Sequence, residues 1–343
     1  SETGTYYLHV RSNDYAGNVS ELTSKAFKVD VTAPNVPTIT APIGWQNSDV
    51  TVEITDGIDE HSGVLRTEYR INDGSWIAYV DAFEVSLEGE ITIEAKTIDQ
   101  VGNESTTTSV KMFIDKVKPT ITITPSPTEL THDDVVLEVS ATDDRSGVKL
   151  ITLPDSTVVT SDTAIYTVKQ NGTYTFVVED NAGNKHTELI EITNIDKSST
   201  IEIPGIINFG NVKLTDEPQI ITADIPPVIV KDWRDAPNEW RLSVSASPLK
   251  LENENFYLPV GTIQLNALDH VIRIKGSGDM PVKRLTTKTT IDDGDVTVVQ
   301  STNSRGEYHL EFPNQALEIT IDATTAKAGK YESTITWELV TAP

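Results

Sequence analysis

Two short motifs in the C-terminal part of the chain carry the residues best suited to binding chemistry. Each has a tryptophan, one variable residue and a leucine: Trp240-Arg-Leu242 and Trp337-Glu-Leu339. On a β-strand successive side chains point to opposite faces, so each Trp would lie beside its Leu. Tryptophan offers a large apolar face and an N–H donor, which suit stacking on sugar rings or protein contacts. A strand that buries Trp and Leu in a core has the same pattern, and both interpretations stay open.

Signatures of enzyme active sites are missing. The six histidines lack the His-Glu-x-x-His spacing, no Gly-x-Ser-x-Gly elbow occurs, and Gly276-Ser-Gly278 lacks the Lys of a phosphate loop. Cysteine is absent, which excludes disulfides and thiolate metal sites. Among 52 carboxylates some pair will lie at glycosidase distance by chance, so the sequence does not exclude a glycosidase. We predict a non-enzymatic protein without a cofactor.

Three acidic clusters are candidates for calcium binding, at residues 56–60, 143–144 and 292–295. Calcium takes about six to eight oxygen ligands, and the spacing of an EF-hand is absent. Asp and Gly are also ordinary β-turn residues, because Asp can hydrogen-bond the turn backbone. We therefore interpret the clusters as turns and predict no metal site.

The formal net charge of −25 is distributed unevenly. Residues 197–343 contain 14 basic and 20 acidic residues, a net charge of −6, whereas residues 1–196 contain 13 and 32, a net charge of −19. An acidic surface repels nucleic acid and anionic membranes. No apolar run approaches the length of a membrane span. We predict neither nucleic-acid binding nor a membrane span, and interpret the acidic part as a solubilising surface rather than a recognition surface.

An internal repeat of just over eighty residues runs through the acidic part. An Asp-x-x-Gly-Asn motif recurs, beginning at Asp14, Asp99 and Asp180. The strand that follows each motif ends in an aspartate, at Asp30, Asp115 and Asp196. Both series have spacings of 85 and 81 residues. The motif predicts a turn between the last two strands of each unit. About seven short strands per unit fit an immunoglobulin-like sandwich, and the units resemble the bacterial Ig-like repeats of surface proteins.

The repeat predicts the domain boundaries. Residues 34–116 and 117–196 are complete Ig-like repeats, and residues 1–33 are the C-terminal fragment of another, with strands at residues 6–12 and 25–30. A lone hairpin is marginal in water, so we expect the native protein to continue upstream. The linkers are short and two contain proline, which predicts a semi-rigid rod of repeats.

Residues 197–343 form a larger last domain. Eight strands are predicted there, at residues 219–223, 228–231, 240–246, 262–265, 271–274, 296–300, 317–322 and 334–340. We expect one helical turn in residues 323–329, a polar insertion at residues 276–295 and a sandwich of two sheets. The predicted fold class is all-β: tandem immunoglobulin-like β-sandwiches followed by a larger C-terminal β-sandwich.

The paired motifs and their flanks resemble the WxL domain, a C-terminal module of surface proteins in Gram-positive bacteria. Three further segments of residues 197–343 share the resemblance: Ile206-Ile-Asn-Phe209-Gly210-Asn-Val212, Val230-Lys-Asp232-Trp233-Arg234 and Ala328-Gly329-Lys-Tyr331. The resemblance implies an extracellular protein held non-covalently on the Gram-positive cell wall, with peptidoglycan as its partner. A wall-associated protein as the partner, or a host or matrix ligand for the Ig-like repeats, are the alternatives.

The candidate binding residues follow from this resemblance. They are Trp240, Leu242, Trp337 and Leu339, with Trp233 and Arg234 as weaker candidates because they lie near a turn before the first motif. We expect the two motif strands to lie close together, with one Trp largely buried and the other lining an accessible groove. If the strands are adjacent, the middle residues Arg241 and Glu338 can pair on the opposite face.

Overall fold

The computed structural model describes residues 2–235 and 238–341. Throughout these residues the chain consists of β-strands and their connections, without a helix, which confirms the all-β prediction. Frequent Val, Ile and Thr favour strands, and Gly, Pro, Asn and Asp end them at short intervals. The chain divides into two compact units, one formed by residues 1–128 and 135–193, the other by residues 129–134 and 194–343.

Residues 1–33 form two antiparallel pairs. The strands are β1 (Gly4–Tyr6), β2 (His9–Asn13), β3 (Val19–Thr23) and β4 (Phe27–Val29). β1 pairs with β4 and β2 pairs with β3 across the first Asp-x-x-Gly-Asn turn. Every residue of β2 and β3 is exposed to solvent. The predicted hairpin is present, but the strand that follows its turn begins at Val19 rather than at residue 25.

Residues 34–116 form a sandwich of two sheets. The strands are β5 (Thr38–Thr40), β6 (Trp45–Gln46), β7 (Val50–Thr55), β8 (Val64–Ile71), β9 (Ile77–Ala78), β10 (Phe83–Val85), β11 (Gly89–Asp99) and β12 (Thr108–Ile114). One sheet has the order β10-β7-β5 and the other β6-β12-β11-β8-β9. Both contribute to one core, with Val52 from the first sheet and Ile91, Ile93 and Met112 from the second. The alternation of apolar residues along β7 and β11 produces this arrangement, because every second side chain faces inward.

The next repeat has the same arrangement. Its strands are β13 (Thr120–Ser126), β14 (Val135–Thr142), β15 (Val148–Thr152), β16 (Val158–Val159), β17 (Thr163–Val168), β18 (Gly172–Asp180) and β19 (Lys185–Ile192). The sheets have the orders β13-β14-β17 and β16-β15-β18-β19. Tyr166 of the first sheet packs edge-on against the buried Phe176 of the second, with ring centroids 5.9 Å apart. Leu137 and Val178 are also fully buried.

The C-terminal unit contains three four-stranded sheets, one more than predicted. Its strands are β20 (Ser199–Glu202), β21 (Gln219–Ala223), β22 (Val228–Asp232), β23 (Trp240–Ala246), β24 (Lys250–Leu251), β25 (Ile263–Leu265), β26 (His270–Gly278), β27 (Val282–Lys283), β28 (Thr289–Thr290), β29 (Val296–Ser301), β30 (Ser304–Glu311), β31 (Leu317–Ile321), β32 (Tyr331–Glu332) and β33 (Ile335–Thr341). The sheets have the orders β20-β22-β30-β26, β21-β31-β25-β28 and β27-β29-β23-β33, and β24 pairs with β32. Tyr308, Leu317 and Leu242, one from each sheet, lie in a single core.

Two details of this unit differ from the predictions, and a third, the helical turn, agrees. The supposed polar insertion contributes β27 and β28 to two sheets and buries Leu285 and Ile291, because isolated apolar residues in a polar stretch still reach the core. The predicted helical turn is a single hydrogen-bonded turn in which the Ala326 N–H donates to the Asp322 carbonyl at 2.9 Å. β30 was not predicted, since its outward residues are charged or polar and Gly306 interrupts its apolar pattern.

Two facing glycines allow β26 and β30 to approach closely. Gly276 is opposite Gly306, and their φ angles are +119° and +146°. A Cβ on Gly276 would lie 1.9 Å from the carbonyl oxygen of Arg305, whereas one on Gly294, at φ +120°, would meet open space. Position 276 is therefore restricted by backbone angle and by contact, and position 294 by angle alone.

We predict that Gly276→Ala lowers the free energy of unfolding by more than about 3 kcal/mol, since the strand must move as well as adopt a strained φ. Gly294→Ala, the matched control, should cost about 1–3 kcal/mol from the φ alone. Urea unfolding followed by tryptophan fluorescence measures both losses. Equal losses would contradict the proposed contact.

Candidate functional site

The two Trp-x-Leu motifs lie on neighbouring antiparallel strands. β23 carries the first motif and β33 the second, and the two strands pair over seven residues. In this register Leu242 lies opposite Leu339, and Val244 lies opposite Trp337. Directly opposed residues share a face of the sheet, so both motifs contribute to the same inner face. The predicted proximity of the two strands is confirmed.

Trp240 and Leu242 belong to the core of the C-terminal unit. Their side chains are 2% and 0% exposed. The Trp240 Nε1–H donates to the carbonyl of Ser304 at 3.3 Å, and its ring packs 5.9 Å from that of Tyr308. A tryptophan needs such a partner when it is buried, because an unpaired N–H is costly. These two side chains can affect binding only through the shape of the sheet, since they are inaccessible in the folded state.

Trp337 and Leu339 are only partly buried. Both pack against the same core, and the Trp337 ring meets that of Phe312 edge-on at 5.9 Å. β33 is the outer strand of its sheet, so among the described residues only β23 covers it laterally. The second motif therefore retains accessible apolar surface that the first lacks.

The middle residues of the motifs face outward. Arg241 lies opposite Val340 and Glu338 lies opposite Ser243, so the two charged side chains are diagonal neighbours rather than a direct pair. Within the described residues neither forms an ion pair, and the predicted Arg241–Glu338 pairing is wrong, because Glu338 lies two residues from the position opposite Arg241. The antiparallel register decides this, because it aligns leucine with leucine.

Trp233 and Arg234 are packed rather than free. Arg234 binds the buried Asp232 through two hydrogen bonds, Nε to Oδ1 at 2.9 Å and Nη2 to Oδ2 at 3.0 Å, and donates to the carbonyl of Glu239. Trp233 is 8% exposed and stacks on His132, with ring centroids 3.9 Å apart. Both residues therefore stabilise the segment leading into β23, and the sequence had suggested a more open position.

The Asp-x-x-Gly-Asn motifs form closed turns, as predicted. In the third, the Asp180 carboxylate accepts hydrogen bonds from the N–H of Asn184 at 2.8 Å and from its side-chain amide at 2.7 Å. The Asn184 amide also donates to the carbonyls of Asp115 and Val117, at 2.8 and 3.1 Å. The Asn103 amide donates in the same way to the carbonyls of Asp30 and Thr32. The second and third turns thus fix the linkers that precede their own repeats.

The same junctions bring together carboxylates that are distant in sequence. The groups are Asp30, Asp59 and Asp99 at the start of the repeat 34–116, and Asp115, Asp143 and Asp180 at the start of the repeat 117–196, with one oxygen of each within 4.8 Å of the others. Oxygen-only donors are those that calcium prefers. Backbone N–H groups of residues 61–63 and 145–147 also donate to these carboxylates, which stabilises them as anions without a cation.

Sequence clusters of acidic residues did not locate these groups. Of the three predicted clusters, only Asp59 and Asp143 take part, whereas Asp292 is buried and accepts hydrogen bonds from the N–H groups of residues 261–263. The signal that could have found the groups is the similar spacing, of 85, 84 and 81 residues, between corresponding aspartates of the two groups.

Hydrogen bonding affects the ionisation of two of these aspartates. Burial raises the pKa of Asp99, but hydrogen bonds from Asn103 and from the Val101 N–H outweigh it, so the pKa lies below the ordinary value of 3.8. The pKa of Asp30 is also lowered, chiefly by the backbone N–H of Thr32. A folded-state pKa below the unfolded value means that the carboxylate stabilises the fold above pH 3.8 and loses this effect as the pH falls through the folded pKa.

The fold defines an all-β protein with two similar β-sandwiches and a larger C-terminal unit. Residues 194–343 match the family model described as "WxL domain surface cell wall-binding". This part of the chain is a WxL domain, which places the protein at the cell-wall surface. Within the described residues no helix has the length and apolar character needed to cross a membrane. No curated protein matches the chain.

Several solved structures are similar to parts of the chain. Fibronectin(III)-like modules of CbhA from Clostridium thermocellum are 14% identical, with a TM-score of 0.27, covering 46% of this chain and 94% of theirs. A tetra-tandem repeat from the extending region of a large adhesion protein is 12% identical, with a TM-score of 0.28, covering 98% and 82%. Carbohydrate-binding modules of the β-sandwich superfamily are 9% identical, with a TM-score of 0.25, covering 92% and 100%.

The unequal burial of the two tryptophans gives a first prediction for the site. Trp240→Ala should lower the free energy of unfolding by about 3–5 kcal/mol, because it leaves a cavity in the core. Trp337→Ala should cost about 1–2 kcal/mol, since less surface is buried at the outer strand. Trp240→Phe, which keeps most of the packing and loses the bond to Ser304, is the control, at about 1 kcal/mol. Urea unfolding decides, and a larger loss for Trp337→Ala would refute the assignment of Trp240 to the core.

The lowered pKa of Asp99 gives a second prediction, on the pH dependence of stability. Asp99→Asn should lower the melting temperature at pH 7 by a few degrees, because the amide accepts fewer of the turn's N–H donors. The difference from the native chain should shrink as the pH falls from 3.8 through the lower folded-state pKa of Asp99, because the native carboxylate becomes protonated there. Calorimetry in a buffer with chelator measures both. Asp56→Asn, at an exposed position of the same repeat, is the control and should change little.

Proposed function

We propose that the chain is a non-enzymatic cell-surface protein that residues 197–343 hold non-covalently on peptidoglycan. The observation that carries the proposal is the match of residues 194–343 to a cell wall-binding family. It is supported by the position of both Trp-x-Leu motifs on adjacent strands of one sheet. The half-buried Trp337 and Leu339 offer apolar surface on the outer strand of that sheet, whereas Trp240 and Leu242 hold the sheet in shape.

In this proposal residues 34–116 and 117–196 are Ig-like repeats of a stalk, and residues 1–33 are the end of a further repeat. The hydrogen bonds from Asn103 and Asn184 to their linkers support restrained junctions, because each linker carbonyl is bound to the repeat that follows. The net charge of −19 on residues 1–196 suits a stalk that must stay soluble and unattached.

The proposal is tested by sedimentation of the full chain with purified Gram-positive peptidoglycan that has been stripped of protein. We expect the chain to sediment with this material, and Trp337→Ala to weaken retention without changing the far-UV circular dichroism spectrum. The Trp240→Phe variant is the matched control and should be retained like the native chain.

Failure to sediment with stripped peptidoglycan, combined with retention on walls that keep their proteins, would refute direct attachment. That outcome would instead identify a wall-associated protein as the partner. Failure on both materials would refute attachment to the wall altogether.

A further inference from the structure

The outer face of the motif-bearing sheet carries a continuous row of side chains, one from each strand. Val282 of β27 lies opposite Gln300 of β29, Gln300 lies opposite Arg241 of β23, and Arg241 lies opposite Val340 of β33. Directly opposed residues point to the same face. Because Trp240 and Leu242 face the core, this row faces solvent, and the middle residue of the first Trp-x-Leu motif is at its centre.

A second arginine joins this row. Arg284 follows Val282 by two positions, and its Nε donates to Oε1 of Gln300 at 3.3 Å. Arg241 and Arg284 are both exposed, with the carboxamide of Gln300 between their strands. The face therefore presents two guanidinium groups and an amide, with Val282 (52% exposed) and Val340 (39% exposed) at its ends.

Neither arginine forms an ion pair within the described part of the chain, and the nearest acidic residue by register on this face is Glu338, the diagonal neighbour of Arg241. Most other basic residues of the C-terminal unit are in ion pairs: Lys197, Lys231, Arg234, Lys288, Arg305, Lys327 and Lys330. Arg241 and Arg284 are both exposed and lie on the same face of one sheet. Charge complementarity therefore favours an anionic ligand at this face.

The neighbours of the arginines restrict the chemistry of that ligand. A guanidinium binds a carboxylate through two parallel hydrogen bonds, which a lysine cannot do. Gln300 uses its oxygen for Arg284, so its amide N–H groups remain as donors for a peptide carbonyl. The two valines provide apolar contact for small methyl groups. Carboxylates, peptide carbonyls and alanine methyl groups occur together in the peptide stems of peptidoglycan, whereas the backbone of wall polymers based on phosphate has neither carboxylates nor peptide carbonyls.

We propose that the face formed by Val282, Arg284, Gln300, Arg241 and Val340 binds carboxylate-bearing peptide stems of peptidoglycan. The proposal rests on the proposed wall attachment and identifies the surface and the chemical group through which it occurs. The Trp-x-Leu motif then divides its roles: the Trp and Leu side chains build the sheet, and the residue between them contacts the ligand.

The test is sedimentation of the full chain with peptidoglycan freed of protein and of phosphate polymers. The double variant Arg241→Gln with Arg284→Gln should bind at least about tenfold more weakly, because two charge-assisted contacts are lost. Arg241→Lys with Arg284→Lys, which keeps the charge but not the paired hydrogen bonds, should be intermediate. The control is Lys213→Gln with Lys275→Gln, which removes the same charge from exposed lysines outside this sheet and should bind like the native chain.

A soluble stem peptide provides an independent readout. Free peptide with its carboxylates should compete for the native chain, and the same peptide with amidated carboxylates should compete at least about tenfold less well. Circular dichroism and urea unfolding confirm that each variant is folded.

The outcomes separate the two proposals. If the native chain sediments and the double glutamine variant sediments equally well, this face is not the contact, and wall attachment stands. If both double variants, at the arginines and at the lysines, weaken binding equally, net charge rather than this face is responsible. If the native chain does not sediment, wall attachment itself is refuted.

Discussion

The pairing of β23 with β33 is the constraint on which the C-terminal unit depends. It joins strands whose first residues, Trp240 and Ile335, are nearly a hundred positions apart, and it aligns Leu242 with Leu339 on the inner face. Burial of a tryptophan removes about 150–250 Å² of surface from water, so Trp240 contributes roughly 4–6 kcal/mol before entropy is counted. Residues of the three four-stranded sheets pack in one core with Trp240 and Leu242. Loss of the pairing between β23 and β33 would expose part of this core.

A second constraint acts in the repeats, where hydrogen bonds rather than apolar burial fix the junctions. In the second and third Asp-x-x-Gly-Asn turns, the Asp side chain holds the backbone of the turn and the Asn side chain holds the preceding linker. Three carboxylates lie close together at each junction, and backbone N–H donors offset their repulsion. The junctions can be this acidic because oriented N–H dipoles, which the turn geometry supplies, stabilise the charge.

The first of these constraints separates the buried residues of the Trp-x-Leu motif from its exposed residue. A strand presents alternate residues to opposite faces, so a Trp-x-Leu motif whose ends are buried must expose its middle residue. In β23 that residue is Arg241, at the centre of a row of exposed side chains that crosses four strands. In β33 it is Glu338, and the outer position of this strand leaves Trp337 partly accessible. Attachment would therefore use the exposed face and the outer strand rather than the buried tryptophan.

Local pattern determined much of this protein. Period-two alternation and frequent turn residues specify strands, so the all-β class, the repeat and eight strands of the C-terminal unit could be predicted from sequence. The Trp-x-Leu motifs and their flanks likewise pointed to the WxL domain. Sequence pattern did not predict strand β30, because its charged or polar outward residues and Gly306 obscure the alternation of apolar residues.

Only the tertiary structure decided which residues distant in sequence come into contact. The number of sheets, the burial of Trp240 against the accessibility of Trp337, and the meeting of Asp30, Asp59 and Asp99 all depend on contacts between distant residues. A strand pattern specifies which face is apolar, but it does not specify the neighbouring strand or the register. Register aligned Arg241 with Gln300 and Val340 and kept it from Glu338, and that alignment, invisible in the sequence, created the exposed face.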